Sequence, residues 1–368
     1  MNYKKTSLYK WLKRSQTIYF LKVRLFSKDY KEYKKKLYQS SKSKDQIKRE
    51  MNLVKDYWKC KPLHYIRYQL FEKELSDEQL LDYIPPYYFY NFYKAKLFQE
   101  STNTDIYKNK LNLFYYLTKR GINTPDIISI IDKGRFLTKD RKNTSLAKIL
   151  ENIGNDEKLF FKPIYGCGGI GIIVLSQKDN QLSINGKTIT INDIDTFIDK
   201  DTTYIVQKGL KQRNDLSEIN PSSVNTLRAV TQWRKGKPQL SVCVLRIGRN
   251  GKDVDNSHQG GISVQINTDN GFISPYATAE HGGGQFPMHP DTQYVFKGKK
   301  INNWKHVKET IISFAEKTPE LKEVAWDIAI TETDITAIEI NFDYGIDHLQ
   351  CCCGGLRRVL NVFPIKNE

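Results

Sequence analysis

After Pro125 the chain changes texture, and that change restricts the fold more than any single motif does. Short β-branched runs alternate with Asn, Asp and Gly turns: "LFFKPI", "IGIIVLS", "TYIVQKGL", "NTLRAVTQW", "QLSVCVLRIG", "GISVQIN", "EVAWDIAIT" and "DITAIEIN". Runs of this length bounded by turn formers read as strands, with QKDNQ at 177–181 and TETD at 331–334 as hairpin turns. Residues 304–317 space their apolar positions along one helical face. From about residue 45 to 120 glycine is scarce and apolar residues recur three and four apart, a helical pattern that Pro85-Pro86 must interrupt. The expectation is a helical front followed by an α+β body.

At 368 residues the chain is long enough for two or three domains. Plentiful aromatic and aliphatic residues exclude wholesale disorder. The six cysteines (Cys60, Cys167, Cys243, Cys351, Cys352, Cys353) show no paired spacing and accompany no secretory leader, which points to free thiols in a reducing, cytoplasmic setting. Cys351-Cys352-Cys353 lacks metal-ligand spacing and reads as small core residues. No apolar run approaches the ~20 residues needed to cross a bilayer.

The net charge of +17 is concentrated at one end: residues 1–50 hold 16 Lys/Arg against 4 Asp/Glu, a difference of +12. Among these charges Leu8, Trp11, Leu12, Ile18, Tyr19, Phe20, Leu21 and Val23 form a broken helical pattern. Such a segment is either a solvated helix face or a surface that meets an anionic membrane or a polyanionic substrate. No zinc finger, helix-turn-helix or RNA-binding aromatic motif accompanies the charge, so nucleic acid is not an expected partner.

The last two strands carry the most specific chemistry. Asp327 lies in "AWDIAI", and Glu339 and Asn341 in "AIEIN" are two apart and so share a strand face. Antiparallel pairing across a short turn would place Asp327 opposite that pair. Three hard oxygen ligands would then converge in the manner Mg²⁺ favours, with waters or phosphate oxygens completing its octahedron. A magnesium site calls for a polyphosphate. In "FFKPIYGCGGIGI" (160–172) Lys162 supplies charge, and Gly166, Gly168, Gly169 and Gly171 let backbone amides approach a phosphate. This is not the common phosphate loop, in which the lysine follows the glycines.

Taken in order, "NK" at 109–110, "KPIYGCGGIGI", "YIVQKGL", "SVNTLRAVT", "LRIGRNGKDVDNSHQGGI", "WDIAI" and "EIN" resemble the ATP-grasp superfamily, most closely its sugar-transfer-associated branch, over about residues 60 to 368. The resemblance implies two α+β subdomains clasping ATP behind a mainly helical N-terminal region. It divides the chain into a basic helical part (1–100), an α/β lead-in with the first ATP lysine (101–157), a lid with the glycine loop (158–210) and a catalytic subdomain (211–368). Lys110 and Lys162 match the two nucleotide-binding lysines, with Gly168 and Gly169 over the phosphates. The strand around Gln207, Lys208 and Leu210 looks like the segment whose backbone reads adenine, although Lys208 replaces the usual acid. Asp215 is the candidate for ribose, with Asp201 and Glu218 nearby.

The middle block is similar to the part of carboxylate-amine ligases that handles the activated acid. The resemblance gives Arg228, Arg246 and Asn256 catalytic roles and brings Asn225, Asp255 and His258 to the substrate. Planar guanidiniums suit both a γ-phosphate and a carboxylate. The implied reaction is attack of a carboxylate on the γ-phosphoryl group of ATP, with Mg²⁺ on Asp327, Glu339 and Asn341, followed by displacement of phosphate by an amine. The branch is associated with surface-polysaccharide synthesis, which implies a sugar carboxylate joined to an amino acid or small amine. Two alternatives are a kinase on the same scaffold, using Asp255 or His258 as base, and a non-catalytic nucleotide-binding partner of a glycan assembly machine.

Overall fold

The structure, a computed structural model, describes residues 15–364 apart from 101–104, 152, 167, 180, 254, 256–259 and 281–283. It opens with helices Gln16–Phe26, Lys28–Leu37 and Lys44–Trp58. Serines begin all three: Ser15, Ser27 and Ser43 each accept a backbone N–H of the first turn through the side-chain hydroxyl. The proline pair acts as expected. Helix Asp77–Leu81 stops before it, and Pro86 starts a new helix that runs through a π segment, Phe89–Tyr93, into Lys94–Glu100.

Two seven-stranded sheets follow. The first contains β1 (Ile127–Asp132), β2 (Arg135–Leu137), β3 (Lys158–Pro163), β4 (Ile173–Lys178), β5 (Gln181–Ile184), β6 (Lys187–Ile189) and β7 (Tyr204–Lys208), in the order β2-β1-β7-β3-β4-β5-β6. The second contains β8 (Thr226–Arg234), β9 (Lys237–Ile247), β10 (Ile262–Gln265), β11 (Ala277–Ala279), β12 (Gln285–Phe286), β13 (Glu323–Ile330) and β14 (Ile335–Asn341), in the order β12-β11-β10-β9-β8-β13-β14. Both turns read from the sequence join neighbours, β4 to β5 and β13 to β14. Strands β1 and β2, which fall in the 101–157 segment, belong to the same sheet as the glycine-loop strands.

One face of the second sheet packs on helix Trp304–Glu316. Leu227, Ala229, Cys243, Leu245, Val324, Trp326 and Ile328 form this core with Val307, Ile311 and Phe314 of the helix. The other face is divided. At one end Val230, Val242, Val244 and Ala325 are covered by Trp58, Tyr87 and Phe89 of the helical front and by Ile346 and Leu349 of helix Ile346–Cys353. That contact is closed by a buried ion pair, Lys94 Nζ to Glu323 Oε1 at 2.7 Å, with Tyr344 and Gln232 also donating to Glu323. At the other end the cover stops and the face opens into a cavity. The helical front is therefore part of the wall around the site.

Cys60 and Cys243 are buried and Cys351, Cys352 and Cys353 half-buried; all five are free thiols. Among the described residues no helix is long and apolar enough to cross a membrane.

Candidate functional site

The cavity, of about 530 Å³, lies between the facing sheets, a volume suited to a nucleotide-sized ligand. On the first sheet Lys162 pairs with Ile205 and Phe160 with Gln207. Paired residues share a face, so these four line the cavity together. Gln207 does more than border it: its Nε2 donates to Pro125 O at 2.8 Å while its Oε1 accepts from Lys162 Nζ at 3.0 Å. Pro125 thereby fixes Gln207, and Gln207 aims the lysine. Burial, opposed by Glu339 and reinforced by Lys110, brings the Lys162 ammonium from 10.5 down to about 8.

Asn109 caps helix Lys110–Lys119, its Oδ1 accepting from Leu111 N and Asn112 N. Lys110 is thus the first helical residue. Its backbone N–H donates to Ile164 O and its Nζ to Gly166 O, tying the helix start to the glycine loop. Gly166, Gly168, Gly169 and Gly171 all have positive φ, 70° to 135°, which only glycine adopts at low cost. A Cβ on Gly171 would come within 3.2 Å of Pro163 Cγ.

The second sheet contributes a row of charges. Glu339 on β14 pairs with Asp327 on β13, and Asp327 pairs with Arg228 on β8. Thr226, two residues before Arg228, pairs with Arg246 on β9. Turn 331–334 by itself would give a different register. Continuing Ile330↔Ile335, Ala329↔Thr336 and Ile328↔Ala337 without a break would set Asp327 against Ile338 and turn Glu339 to the apolar face. A one-residue bulge at Ile338 restores the Asp327↔Glu339 pairing.

Asp327 is clamped by both arginines. Arg228 Nε and Nη2 reach its two oxygens at 2.5 and 3.1 Å, and Arg246 Nη2 lies 3.1 Å from Oδ2. Burial would raise the Asp327 carboxyl, but Arg228 and Arg246 outweigh it and hold the group below the ordinary carboxylate range. Glu339 goes the other way, raised by burial first and by Asp327 second. Asp255 accepts from the hydroxyl and the backbone N–H of Thr226 and lies 3.6 Å from Arg246 Nε; burial still raises it.

The donor set fits a divalent cation shared with phosphate. A carboxylate kept above its usual range by burial and a second carboxylate gains from a nearby cation, and Asn341 Nδ2, buried without a hydrogen-bond partner among the described residues, is a donor that a phosphate oxygen would satisfy, with Oδ1 the atom available to the cation. The set is two carboxylates and an amide, and no cluster of three His, Cys, Asp or Glu side chains occurs among the described residues.

The structure separates the other candidates. Gly168, Gly169, Lys208 and Leu210 line the cavity, but the Lys208 side chain turns to Glu157, 2.7 Å from Oε2. Asp215 does not line it and is held by Arg213 at 2.6 Å. Asp201 and Glu218 are also absent from the lining. Asn225 is fully buried and absent from the lining, donating to Leu216 O and Asn220 O while its backbone N–H donates to Gln212 Oε1. Asn256 and His258, like Cys167, lie outside the described residues.

Several lining residues escaped the sequence reading. Asp253 pairs with Lys158 at 2.5 Å and sits in the same motif as Asp255. Arg67 and Tyr90 come from the helical front, Glu280 follows β11, and Asp343, Asp347 and His348 follow β14. Burial, with Arg228 close by, lowers His348 to about 3, so it is neutral; its Nε2 bonds Ser263 at 3.2 Å. None of these stands in a spacing that signals chemistry.

The family described as sugar-transfer associated ATP-grasp matches residues 89–363. A comparison with curated proteins found no match. Among solved structures the chain is similar to D-alanyl-alanine synthetase A from Vibrio cholerae O1 biovar eltor str. N16961 (14% identity, 70% of this chain and 62% of that chain, TM-score 0.41). It is also similar to carboxyaminoimidazole ribonucleotide synthase from Aspergillus clavatus complexed with ATP (14%, 71% and 53%, 0.39) and to D-alanine-D-alanine ligase from Helicobacter pylori (12%, 71% and 60%, 0.37). The chain thus spans less than two thirds of the length of each. With the family match covering most of the sequence, the chain belongs to the sugar-transfer associated ATP-grasp family.

Proposed function

We propose that the protein is an ATP- and Mg²⁺-dependent carboxylate-amine ligase acting on a sugar carboxylate, such as a uronic acid, and on an amino acid or small amine, in cytoplasmic steps of surface-polysaccharide synthesis. The observation that carries the reading is the meeting in one cavity of two lysines from the first sheet side and two arginines from the second around a paired carboxylate. Lys110 and Lys162 bind the polyphosphate. Phe160 and Ile205 supply an apolar wall for the base, beside the Gln207–Leu210 backbone. Asp327, Glu339 and Asn341 would hold Mg²⁺, which when bound neutralises phosphate charge.

Arg228 and Arg246 orient the acid. Among the described residues the Nη1 of each has no acceptor, so each keeps a donor for substrate while Asp327 fixes its plane. A carboxylate oxygen bonds to the γ-phosphorus as the bond to ADP breaks. The amine nitrogen then bonds to the acyl carbon, loses a proton, and phosphate departs. The residues work by position and charge, and no nucleophilic side chain is required. Carboxylates Glu280 and Asp343 in the cavity lining suit an ammonium group.

A kinase is the second reading, favoured by Asp255: buried, raised and fixed by Thr226, it has the setting of a general base. The experiment is ADP release over a panel of uronic acids with and without amines, using acid labelled with ¹⁸O in the carboxylate. Ligation puts label into free phosphate and requires the acid. A stable phosphorylated sugar with no label in phosphate would promote the kinase.

A further inference from the structure

We propose that the outer face of helix Gln16–Phe26 is a docking surface for an anionic lipid bilayer, set beside the catalytic cavity. The helix carries apolar residues on two faces. Tyr19, Phe20 and Val23 turn inward and pack on the helical front, with Tyr19 against Tyr87 at 5.3 Å and Lys61 over the Phe20 ring at 4.4 Å. Both hydrogen bonds of Gln16, from its Nε2 to Lys59 O and from Lys61 N to its Oε1, pin the start of the helix to the body. This inner face accounts for the fold.

Among the described residues no core cluster includes the outer face. Ile18, Leu21 and Leu25 fall at i, i+3 and i+7, one stripe along the helix. They are 38%, 45% and 56% exposed, and Phe26 at the helix end is 76% exposed. Lys22 and Arg24, both exposed, flank the stripe, and exposed Lys31 and Lys35 follow in the next helix. A solvated face would not keep four large apolar side chains in water. The charge selects the occupant: apolar residues bordered by Lys and Arg match acyl chains beneath anionic headgroups. At 11 residues the helix is too short to cross a bilayer, which takes about 20. It lies in the interface plane. The sequence ahead of it adds Lys4, Lys5, Lys10, Lys13 and Arg14, which lie outside the described residues.

The placement has a consequence for access. Tyr19 lies beside Arg67, Arg67 lines the catalytic cavity, and Arg67 also lies 3.3 Å from Asp347 in the same wall. A bilayer on the outer face would therefore stand one helix away from the cavity wall. The surface does not depend on which reaction the cavity performs.

The test is co-sedimentation of the full-length chain with vesicles of phosphatidylcholine alone or mixed with phosphatidylglycerol. Binding is expected to require the anionic lipid and to fall as salt rises from about 0.1 M to about 0.5 M, where screening shortens the range of surface charge to a few ångströms. Lys22→Gln and Arg24→Gln should each weaken binding about fivefold. Leu21→Gln combined with Leu25→Gln should weaken it at least about tenfold without lowering the thermal midpoint, because both side chains are exposed. Equal binding to both vesicle types, or none, overturns the proposal on wild-type protein alone. So does binding that ignores the double variant, or a concentration-dependent dimer in light scattering that Leu25→Gln dissolves while lipid binding stays unchanged.

Discussion

Replacing Lys162 with methionine separates what the site needs from what the fold prefers. The drop from 10.5 to about 8 corresponds to about 3 kcal/mol by which the folded protein disfavours the charged lysine. Lys162 keeps part of its surface open to the cavity, so about half of that is a fair expectation. Gln207 loses a hydrogen bond in the variant, which offsets about 0.5–1 kcal/mol. Lys162→Met should therefore be more stable than wild type by about 1 kcal/mol without nucleotide. It should bind ATP roughly 10- to 100-fold more weakly, the loss of a charge-assisted hydrogen bond worth about 1.5–3 kcal/mol. The pH dependence has a definite sign. Below pH 8 the lysine is charged in folded and unfolded chains alike and the penalty is complete. Between pH 8 and 10.5 the folded protein releases the proton and the penalty fades, so the two proteins should converge in stability as pH rises. Denaturant unfolding at pH 7 and pH 9.5, with calorimetric titration of ATP, measures both effects. A nucleotide-free variant less stable than wild type at pH 7, or one that binds ATP within twofold of wild type, would refute the reasoning.

Glu339→Gln should leave ATP binding in EDTA nearly unchanged and remove most of its enhancement by Mg²⁺, since Lys110 and Lys162 remain while a cation ligand is lost; calorimetry with and without the metal reads the difference. Glu323→Gln should destabilise the protein by about 3–5 kcal/mol in denaturant unfolding, because Lys94, already lowered by burial, would be left in the core without its partner. Burial would raise Glu323, but Lys94 and its hydrogen-bond donors outweigh it and hold it below 4.5. Its contribution in wild type is therefore present above pH 4.5 and is lost as pH falls through the lower folded value, a loss that acid titration of stability would show. Arg246→Ala should lower turnover far more than ATP affinity in steady-state kinetics, because in the proposed reaction its remaining donor meets the acid and not the base.

Where the sequence alternates or runs in β-branched residues long enough to fill a strand, the fold was legible. The eight runs from "LFFKPI" to "DITAIEIN" are β3, β4, β7, β8, β9, β10, β13 and β14. Strand β1, "IISIID", is apolar almost throughout, and such a run looks the same in a buried helix and a buried strand. Strands β11 and β12 hold three and two residues, too few to show a period; only their place at the sheet edge, set by tertiary pairing, makes them strands. The helical front was legible as helix, but its contribution of Arg67 and Tyr90 to the cavity depends on contacts between residues more than 200 positions apart, such as Lys94 with Glu323. No local pattern carries that information.

The same division runs through the site. The types and spacing of Asp327, Glu339 and Asn341 suggested a shared face, yet counting residues back from the turn would have sent Glu339 toward Trp326 and the apolar core. Placing a carboxylate there would cost several kcal/mol, and this penalty is the physical reason for the bulge at Ile338: the strand gives up one regular pairing so that Glu339 and Asn341 lie with Asp327 and Ile338 still faces the cavity. The sequence also left open what faces Asp327. Two guanidiniums do, so its negative charge is already compensated by Arg228 and Arg246, whereas Glu339 has Lys110 at 4.0 Å and is still raised, because burial and Asp327 outweigh its positive neighbours. Asp327 is thus a hub that orients two arginines as well as a candidate ligand. Truncating it to alanine would bury the Arg228 guanidinium without its counter-charge and leave Arg246 with Asp255 alone, and lost activity would then report a collapsed floor as readily as a missing metal. Glu339, partly open to the cavity and outside the arginine clamp, is the position at which the cation's contribution can be read separately.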